Sequence, residues 1–348
     1  MKLSPRERVE RALAGKDVDK MPFTVYENKL PRCEAERKLR NMGVCVIDKT
    51  VDVLRTRRPD VNSVTTRYLE KNEWYVRTNY DTPFGELSVV QREAGFTRWT
   101  TKHLFTDPQD YKKLVFMVDN EHYEPDYVTF VKAQQIAGND VFFRGNIGSE
   151  PLQTVISWMG TECFCFEWME RRNEVLKLYT ALVNAARRRY KLLADSPAVA
   201  FNYGGNVVVD LVGPQGFEQF YVPNYNEAAE YLNKTGKFVG SHLDGNCKQI
   251  ANLIQQSQLD YIEAFTPAPD TDMTLPEAIA VWPDKCLWIN FPSSVHLAST
   301  EQIADTTREI IDAAAGHQRF LLGITEDVPP NRWQENFYTI AKTIDSCY

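Results

Sequence analysis

Eight short apolar runs, each closing on polar residues, constrain this chain more than any other feature. They are "MPFTVYEN" (21–28), "GVCVID" (43–48), "DVFFRGN" (140–146), "AVAFNYGGN" (198–206), "KFVGSHLDGN" (237–246), "YIEAFTPAP" (261–269), "KCLWINFPSS" (285–294) and "RFLLGITEDVPP" (319–330). Runs that are apolar at nearly every position belong to strands buried on both faces, as in a parallel sheet covered by helices. Segments with helical periodicity separate most of them, among them 174–194, 246–258 and 300–315. A further helix opens the chain, where Ser4, Pro5 and Glu7 form a capping signature ahead of Val9, Ala12 and Leu13. Strand and helix alternating eight times predict an α/β fold, a (β/α)8 TIM-type barrel spanning residues 1–348 as a single domain.

One region breaks the rhythm. Residues 55–115 alternate polar with β-branched or aromatic side chains, which predicts an antiparallel hairpin or small β subdomain inserted after the second strand. "FMVDNEHYEPDYVTFVKAQQIAG" (116–138) reads as a helix returning to the third strand.

At 348 residues, 43% hydrophobic and 25% charged, the chain has the make-up of an ordinary globule with a large core. A formal charge of −7 gives no long-range attraction for nucleic acid or anionic lipid. The basic clusters Arg55-Thr56-Arg57-Arg58 and Arg187-Arg188-Arg189 are too short for a phosphate surface and read as solvated faces. No stretch reaches the roughly 18 apolar residues of a membrane span, and the opening segment reads as a helix with polar flanks, so a cytoplasmic location is expected. Seven cysteines lie scattered, with Cys163 and Cys165 the only close pair, which points to small buried hydrophobes rather than disulfides or a zinc knuckle.

In a barrel of this kind ligands sit at the carboxyl ends of the strands. Those ends are polar here: Tyr26, Glu27 and Asn28 on the first strand, Arg144 on the third, Asn202 and Tyr203 on the fourth. His242 and Asp244 end the fifth, Glu263 lies in the sixth, and Glu326 follows the eighth. Residues two apart in a strand share a face, so His242 and Asp244 can address one ligand. With Glu326 they make a candidate first shell for zinc that leaves a position open for a substrate oxygen. Of the five histidines only His242 ends a strand on this face; His103, His122, His296 and His317 fall elsewhere. Glu263 reads as a catalytic acid or as a buried carboxylate fixed by donors. Arg144 reads as an anion clamp or a structural ion pair. Tyr26, Glu27, Asn28, Asn202 and Tyr203 are candidate substrate-pocket residues. The phosphate-loop, dinucleotide-fingerprint and nucleophile-elbow motifs are all missing, which argues against nucleotide cofactors and nucleophilic catalysis.

Four segments carry a resemblance to a known family. "SPRERVERALAGKDVDKMPF", then "SHLDGN", "YIEAFTPAPDTDM" and "LLGITEDVPPNRWQENF", in that order and spacing, resemble the uroporphyrinogen decarboxylase superfamily, which includes corrinoid-dependent methyltransferases. Decarboxylases of that type carry an arginine-rich stretch after the first strand, where this chain has "YENKLPRCEAERK". The methyltransferase branch carries a His-x-Cys…Cys zinc motif, and the alignment puts His242, Asp244 and Glu326 at those positions, with carboxylates in place of both thiolates. "MPFTVYENKLP" and "DTPFGELSVV" look like the members that demethylate methoxylated compounds. The resemblance thus implies O-demethylation. A methyl group would pass from a small methoxylated substrate, an aryl methyl ether, to the cobalt of a corrinoid on a separate protein, since no cobalamin-binding signature stands in this chain. His242, Asp244, Glu263 and Glu326 would act as catalytic residues. A porphyrinogen-type decarboxylase and a methylcorrinoid:thiol methyltransferase are the alternative activities.

Overall fold

The computed structural model describes residues 2–95 and 97–348, and the chain divides into two compact units. The larger comprises residues up to Val53, Asp126–Gly148 and Leu193–Tyr348. Its sheet has nine parallel segments, and the two at the ends of the hydrogen-bonding order, Gly145–Gly148 and Val141–Phe143, are successive stretches of one run broken at Arg144. Counted as one strand they close the sheet into an eight-stranded barrel: β1 (Phe23–Tyr26), β2 (Cys45–Asp48), β3 (Val141–Phe143 and Gly145–Gly148), β4 (Ala200–Tyr203), β5 (Phe238–His242), β6 (Tyr261–Phe265), β7 (Cys286–Asn290) and β8 (Phe320–Ile324). Each is one of the apolar runs of the sequence. Every neighbouring pair is parallel, from Thr24↔Gly323 between β1 and β8 to His242↔Glu263 between β5 and β6.

Helices fill the connections where apolar periodicity places them, including the first, α1 (Pro5–Leu13). There the Ser4 hydroxyl accepts from the Glu7 amide and the Glu7 carboxylate accepts from the Ser4 amide. Thr300–Ala313 begins with the same device at Ser299. The span 246–258 is helical only over Ala251–Gln256, preceded by a 3-10 turn at Lys248–Ile250. The Asp272 carboxylate receives the Cys247 and Lys248 amides just before that turn.

Large side chains floor the barrel. Tyr261 and Trp288 are fully buried with ring centroids 6.0 Å apart, and Phe142 lies 6.2 Å from Trp288. Their polar atoms are answered inside: Trp288 Nε1 donates to Thr24 Oγ1 at 2.9 Å and Tyr261 OH to the Phe201 carbonyl at 2.7 Å. The floor requires two glycines. A Cβ on Gly240 would stand 2.2 Å from the Tyr261 ring, and one on Gly145 would stand 2.4 Å from Phe201.

The second unit, Leu54–Pro125 with Ser149–Leu192, holds the insertion. The predicted hairpin is a four-stranded antiparallel sheet of Asn62–Glu70, Glu73–Thr82, Gly85–Ala94 and Thr97–Lys102, turning first at Lys71-Asn72 with both φ positive. Its end is later than position 115. The stretch read as one returning helix is a helix (Asp110–Asp119), a strand (His122–Pro125) that pairs antiparallel with Leu54–Arg57, and a helix (Tyr127–Ala137). The chain leaves the helical path at Asn120, and Pro125 closes the short strand. The basic cluster that opens the insertion is a surface of ion pairs, Arg57 with Glu124 and Arg58 with Glu121.

Gly240→Ala is expected to destabilise the protein by about 1–3 kcal/mol, since the new methyl must displace a close-packed ring. Tyr261→Leu in the same chain removes that ring and should recover part of the loss. Thermal melts of the two single variants and the double variant measure it; equal, additive losses would mean the ring is not what the glycine accommodates.

Candidate active site

Tyr261 and Glu263 lie two apart on β6 and share its inner face, so the ring forms the floor and the carboxylate stands above it. Around Glu263 the ends of β1, β3, β4, β5 and β6 bring Tyr26, Arg144, Asn202 and His242 together. Glu263 is fully buried and forms an ion pair with Arg144, itself 6% exposed. Its other oxygen accepts from Asn202 Nδ2 at 2.9 Å and lies 3.0 Å from His242 Nδ1. Arg144 Nη1 also donates to the Tyr26 hydroxyl at 3.3 Å, and that hydroxyl is 3.4 Å from His242 Nδ1. On the far side of the imidazole, Nε2 faces Asp244 Oδ2 at 3.4 Å.

Backbone irregularities serve this cluster. β3 changes partner at Arg144, pairing with β2 before it and with β4 after it while the Arg144 amide donates to the Asp48 carbonyl at 3.0 Å, and β6 bulges so that Glu263 and Phe265 oppose consecutive residues of β7 across Ala264, whose φ of +63° lies in the left-handed region. Alanine in that conformation is strained, and such strain persists where the surrounding structure enforces it, typically at functional sites.

The electrostatics follow from burial and pairing. Burial alone would raise the Glu263 pKa, yet Arg144, His242 and Tyr26 hold it far below the usual carboxylate range. Burial alone would lower the His242 pKa, but hydrogen bonds and charge from Asp244 and Glu263 outweigh it and raise it to about 9. Asp244, pushed up by burial and down more strongly by His242, ends below its ordinary value. Near neutral pH the cluster therefore carries an imidazolium between two carboxylates. Tyr26 keeps its proton, since burial first and then Glu263 push its pKa well up.

The predicted residues divide. Tyr26, Arg144, Asn202, His242, Asp244 and Glu263 are brought together. Tyr203 is not in the cluster: next to inward-facing Asn202 it points the other way, with its ring 5.5 Å from Tyr225 and its hydroxyl on the Asn224 carbonyl. Glu27 and Asn28 leave the strand in a 3-10 turn, where Glu27 lies 4.0 Å from Arg32 and Asn28 is exposed. Glu326 does not join His242 and Asp244 either; its carboxylate is held by the Ser293 and Thr266 hydroxyls. Among the described residues no group of three or more His, Cys, Asp or Glu side chains converges as a metal shell. Nε2 of His242 and Asp244 supply two donors while Nδ1 is committed to Glu263, so the residues present do not fit a zinc centre with three protein ligands. The other buried histidine of the barrel unit, His296, is structural: it meets Asn336, and burial holds its pKa down at about 4.

A residue the sequence reading passed over also belongs here. Lys49, directly after β2, places its ammonium 3.7 Å from the centroid of the Tyr26 ring. Desolvation of that ammonium, then repulsion from Arg144 and Lys29, bring its pKa down to about 8. The signal was the polar close of the second run, Asp48-Lys49, a strand end left without a candidate.

A closed parallel barrel with a charged cluster at the carboxyl ends of its strands is the arrangement of a barrel enzyme. The family profile of uroporphyrinogen decarboxylase (URO-D) matches residues 99–347, and the chain belongs to that family. No curated protein matches it. Among solved structures, a methyltransferase from Methanosarcina mazei superposes with a TM-score of 0.63 at 14% identity, covering 100% of both chains, a likeness of fold. A structure of the GH20 catalytic modules of the pneumococcal exo-beta-D-N-acetylglucosaminidase StrH matches at 10% identity over 99% of this chain and 85% of that one, with a TM-score of 0.39. No helix among the described residues is long and apolar enough to cross a membrane.

Glu263→Gln is expected to cost about 3–5 kcal/mol in urea unfolding, because it leaves Arg144 as a buried charge without its partner. His242 stabilises the fold by gaining a proton, so that contribution is complete below its unfolded value near 6.5 and is lost as pH rises through about 9. The urea midpoint of wild type relative to His242→Gln should fall across that window; a constant difference between the two would show that the imidazole is not charged in the fold.

Proposed function

We propose that this protein is a methyltransferase that takes a methyl group from a small aryl methyl ether and passes it to the cobalt of a corrinoid carried on a separate protein. The observation that carries the reading is His242, an imidazolium at neutral pH, 13% exposed at the mouth end of the barrel and gripped from behind by Glu263. Breaking an aryl methyl ether sends the electron pair of the carbon–oxygen bond to oxygen, and the barrier falls if a proton is supplied as that charge develops. A reduced corrinoid, when present, supplies the nucleophile that receives the methyl group. This chain supplies the proton and the orientation.

The residues divide the work by their fixed partners. Nδ1 is held by Glu263, which orients the ring and favours its charged form. Nε2 faces Asp244, the longer and more exposed of the two contacts, so a substrate oxygen can take that place and receive the proton. Asn202 and Arg144 fix Glu263, and Tyr26 keeps its hydroxyl against Nδ1. Once the phenol has left, the imidazole regains a proton from solvent, and Asp244 with Glu263 restores its charged form.

Two other activities within the family fit less well. A poly-acidic tetrapyrrole calls for free guanidinium groups, whereas Arg144 is committed to Glu263. Thiol activation calls for thiolate-bound zinc, and no cysteine stands in the cluster. Family membership and the barrel shared with the Methanosarcina mazei methyltransferase accord with methyl transfer.

The test is transfer of methyl from a panel of methoxybenzenes to a reduced corrinoid protein, followed in the visible spectrum. His242→Ala should lose at least about 10²-fold in turnover, the order expected for a general acid, and wild-type turnover should decline as pH rises through about 9. Activity after dialysis against a chelator should persist. Turnover that vanishes with the chelator and returns with one zinc per chain would assign the chemistry to a metal at His242 and Asp244 instead, and inactivity across the panel alongside activity with another methyl donor would remove the ether.

A further inference from the structure

The four-stranded sheet of the insertion ends on two strands of different character, Thr97–Lys102 on one side and Asn62–Glu70 on the other. The first is protected as sheet edges usually are: it has 6 residues, carries Arg98 and Lys102, and slips register where Val90 gives way to Gln91 on its neighbour. Asn62–Glu70 has none of these devices. It runs for 9 residues in unbroken register with Glu73–Thr82, without proline or bulge, and among the described residues no strand lies along its outer side. Val64 and Leu69 on it are 60% and 54% exposed. Its one interior charge, Arg67, is answered within the sheet: the guanidinium donates to the two carboxylate oxygens of Glu93 at 3.1 and 2.8 Å, and its carbon stands 3.8 Å from the centroid of the Trp74 ring. A long exposed edge whose charge is already compensated is a template for another strand.

The turn fixes which backbone groups face outward. In a hairpin with the two-residue turn Lys71-Asn72, the closing pair Glu70↔Glu73 exchanges hydrogen bonds, and bonded pairs alternate from there. Asn62, Val64, Thr66, Tyr68 and Glu70 therefore bond inward to Glu73–Thr82, while Ser63, Thr65, Arg67 and Leu69 direct their amides and carbonyls out. A second copy of the strand running antiparallel must bring its own outward groups to these, which restricts the pairing to registers centred on a residue. Centring on Arg67 sets two guanidinium groups against each other. Centring on Thr65 shortens the ladder and sets Tyr68 against Asn62. Centred on Thr66, all 9 residues find partners.

We propose that this edge is the interface of a homodimer, in which Asn62–Glu70 of two copies pair antiparallel about Thr66 and join two four-stranded sheets into one. Across the two-fold axis Thr65 exchanges backbone bonds with Arg67 and Ser63 with Leu69, Val64 packs against the Tyr68 ring, Asn62 meets Glu70, and Thr66 meets its own counterpart. No like charges stand opposite, and no apolar side chain faces a charged one. That match of the strand to itself, complete only in the register with full overlap, is what selects a second copy of this chain over a foreign strand. The contact uses no residue of the barrel mouth, so it stands or falls apart from methyl transfer.

Sedimentation velocity of the whole protein reads the association directly. Wild type should pass from monomer to dimer between about 1 and 100 µM. Thr65→Pro removes an outward amide and leaves the inner ladder intact, so it should weaken the dimer by about tenfold or more. Thr66→Lys and Thr66→Glu should each do the same by setting like charges across the axis, and an equimolar mixture of the two should regain the wild-type association, with the lysine of one copy against the glutamate of the other. Thermal melts confirm that each variant is folded, and the two Thr66 variants keep every backbone donor should Thr65→Pro fail to fold. A wild type that stays monomeric throughout, a dimer undiminished in the variants, or a mixture no more associated than either variant alone would overturn the assignment.

Discussion

The ion pair between Arg144 and Glu263 is the interaction on which the site depends. Glu263 is fully buried at the carboxyl end of β6, and a lone carboxylate there would take up a proton rather than remain charged. Arg144 prevents that. Because the guanidinium holds Glu263 ionised, the carboxylate can in turn hold His242 ionised, although burial works against the imidazolium. Charge is thus passed outward from the most buried group to one that a substrate can reach. A charged acid at the barrel mouth follows from a charged base in its interior.

The barrel makes room for this pair by local departures from regular strand geometry. β3 divides into two stretches at Arg144, whose amide still donates to the Asp48 carbonyl, and β6 carries a bulge with Ala264 in a left-handed conformation directly after Glu263. Beneath them the packing is dense and its polar atoms are satisfied, with Tyr261 seated where Gly240 lacks a side chain. Strain above and close packing below are complementary. A rigid floor is what allows a bulge to aim one carboxylate at an imidazole on the neighbouring strand instead of relaxing.

Most of the fold was legible in sequence because every barrel strand is a short, nearly continuous apolar run, and burial on both faces leaves no other reading of such runs. The insertion was legible in kind and not in extent. Its last strand, His122–Pro125, is exposed and polar, so no hydrophobic period marks it, and only pairing with Leu54–Arg57 makes it a strand. At the site, the rule that residues two apart share a face linked His242 to Asp244, and the position of strand ends brought in Tyr26, Arg144, Asn202 and Glu263. That rule says nothing of where a chain goes after its strand. Glu27 and Asn28 turn away in a 3-10 turn, Glu326 is captured by two hydroxyls, and Tyr203 lies on the outer face because its neighbour lies on the inner one. Lys49 was passed over for the opposite reason: a lysine after a strand is so commonly solvated that only its fold-back over Tyr26 distinguishes it.

The carboxylates at positions 244 and 326, which family resemblance sets where a zinc site would have thiolates, take on a different character in this geometry. Thiolates would draw a metal to Nε2 of His242 and keep the imidazole neutral, since a metal-bound nitrogen carries no proton. Asp244 instead draws a proton to that nitrogen, and Glu263 draws one to the other. In the reaction proposed here the same histidine on the same strand end serves as an acid rather than a ligand, through the charge and hardness of its neighbour. Glu326 is held by Ser293 and Thr266 and ties the loop after β8 to those that follow β6 and β7. A barrel that stabilises a departing oxygen has no need to generate a nucleophile of its own. On the proposed reading, exchanging soft donors for hard ones suits the site to that requirement while the fold that positions it stays the same.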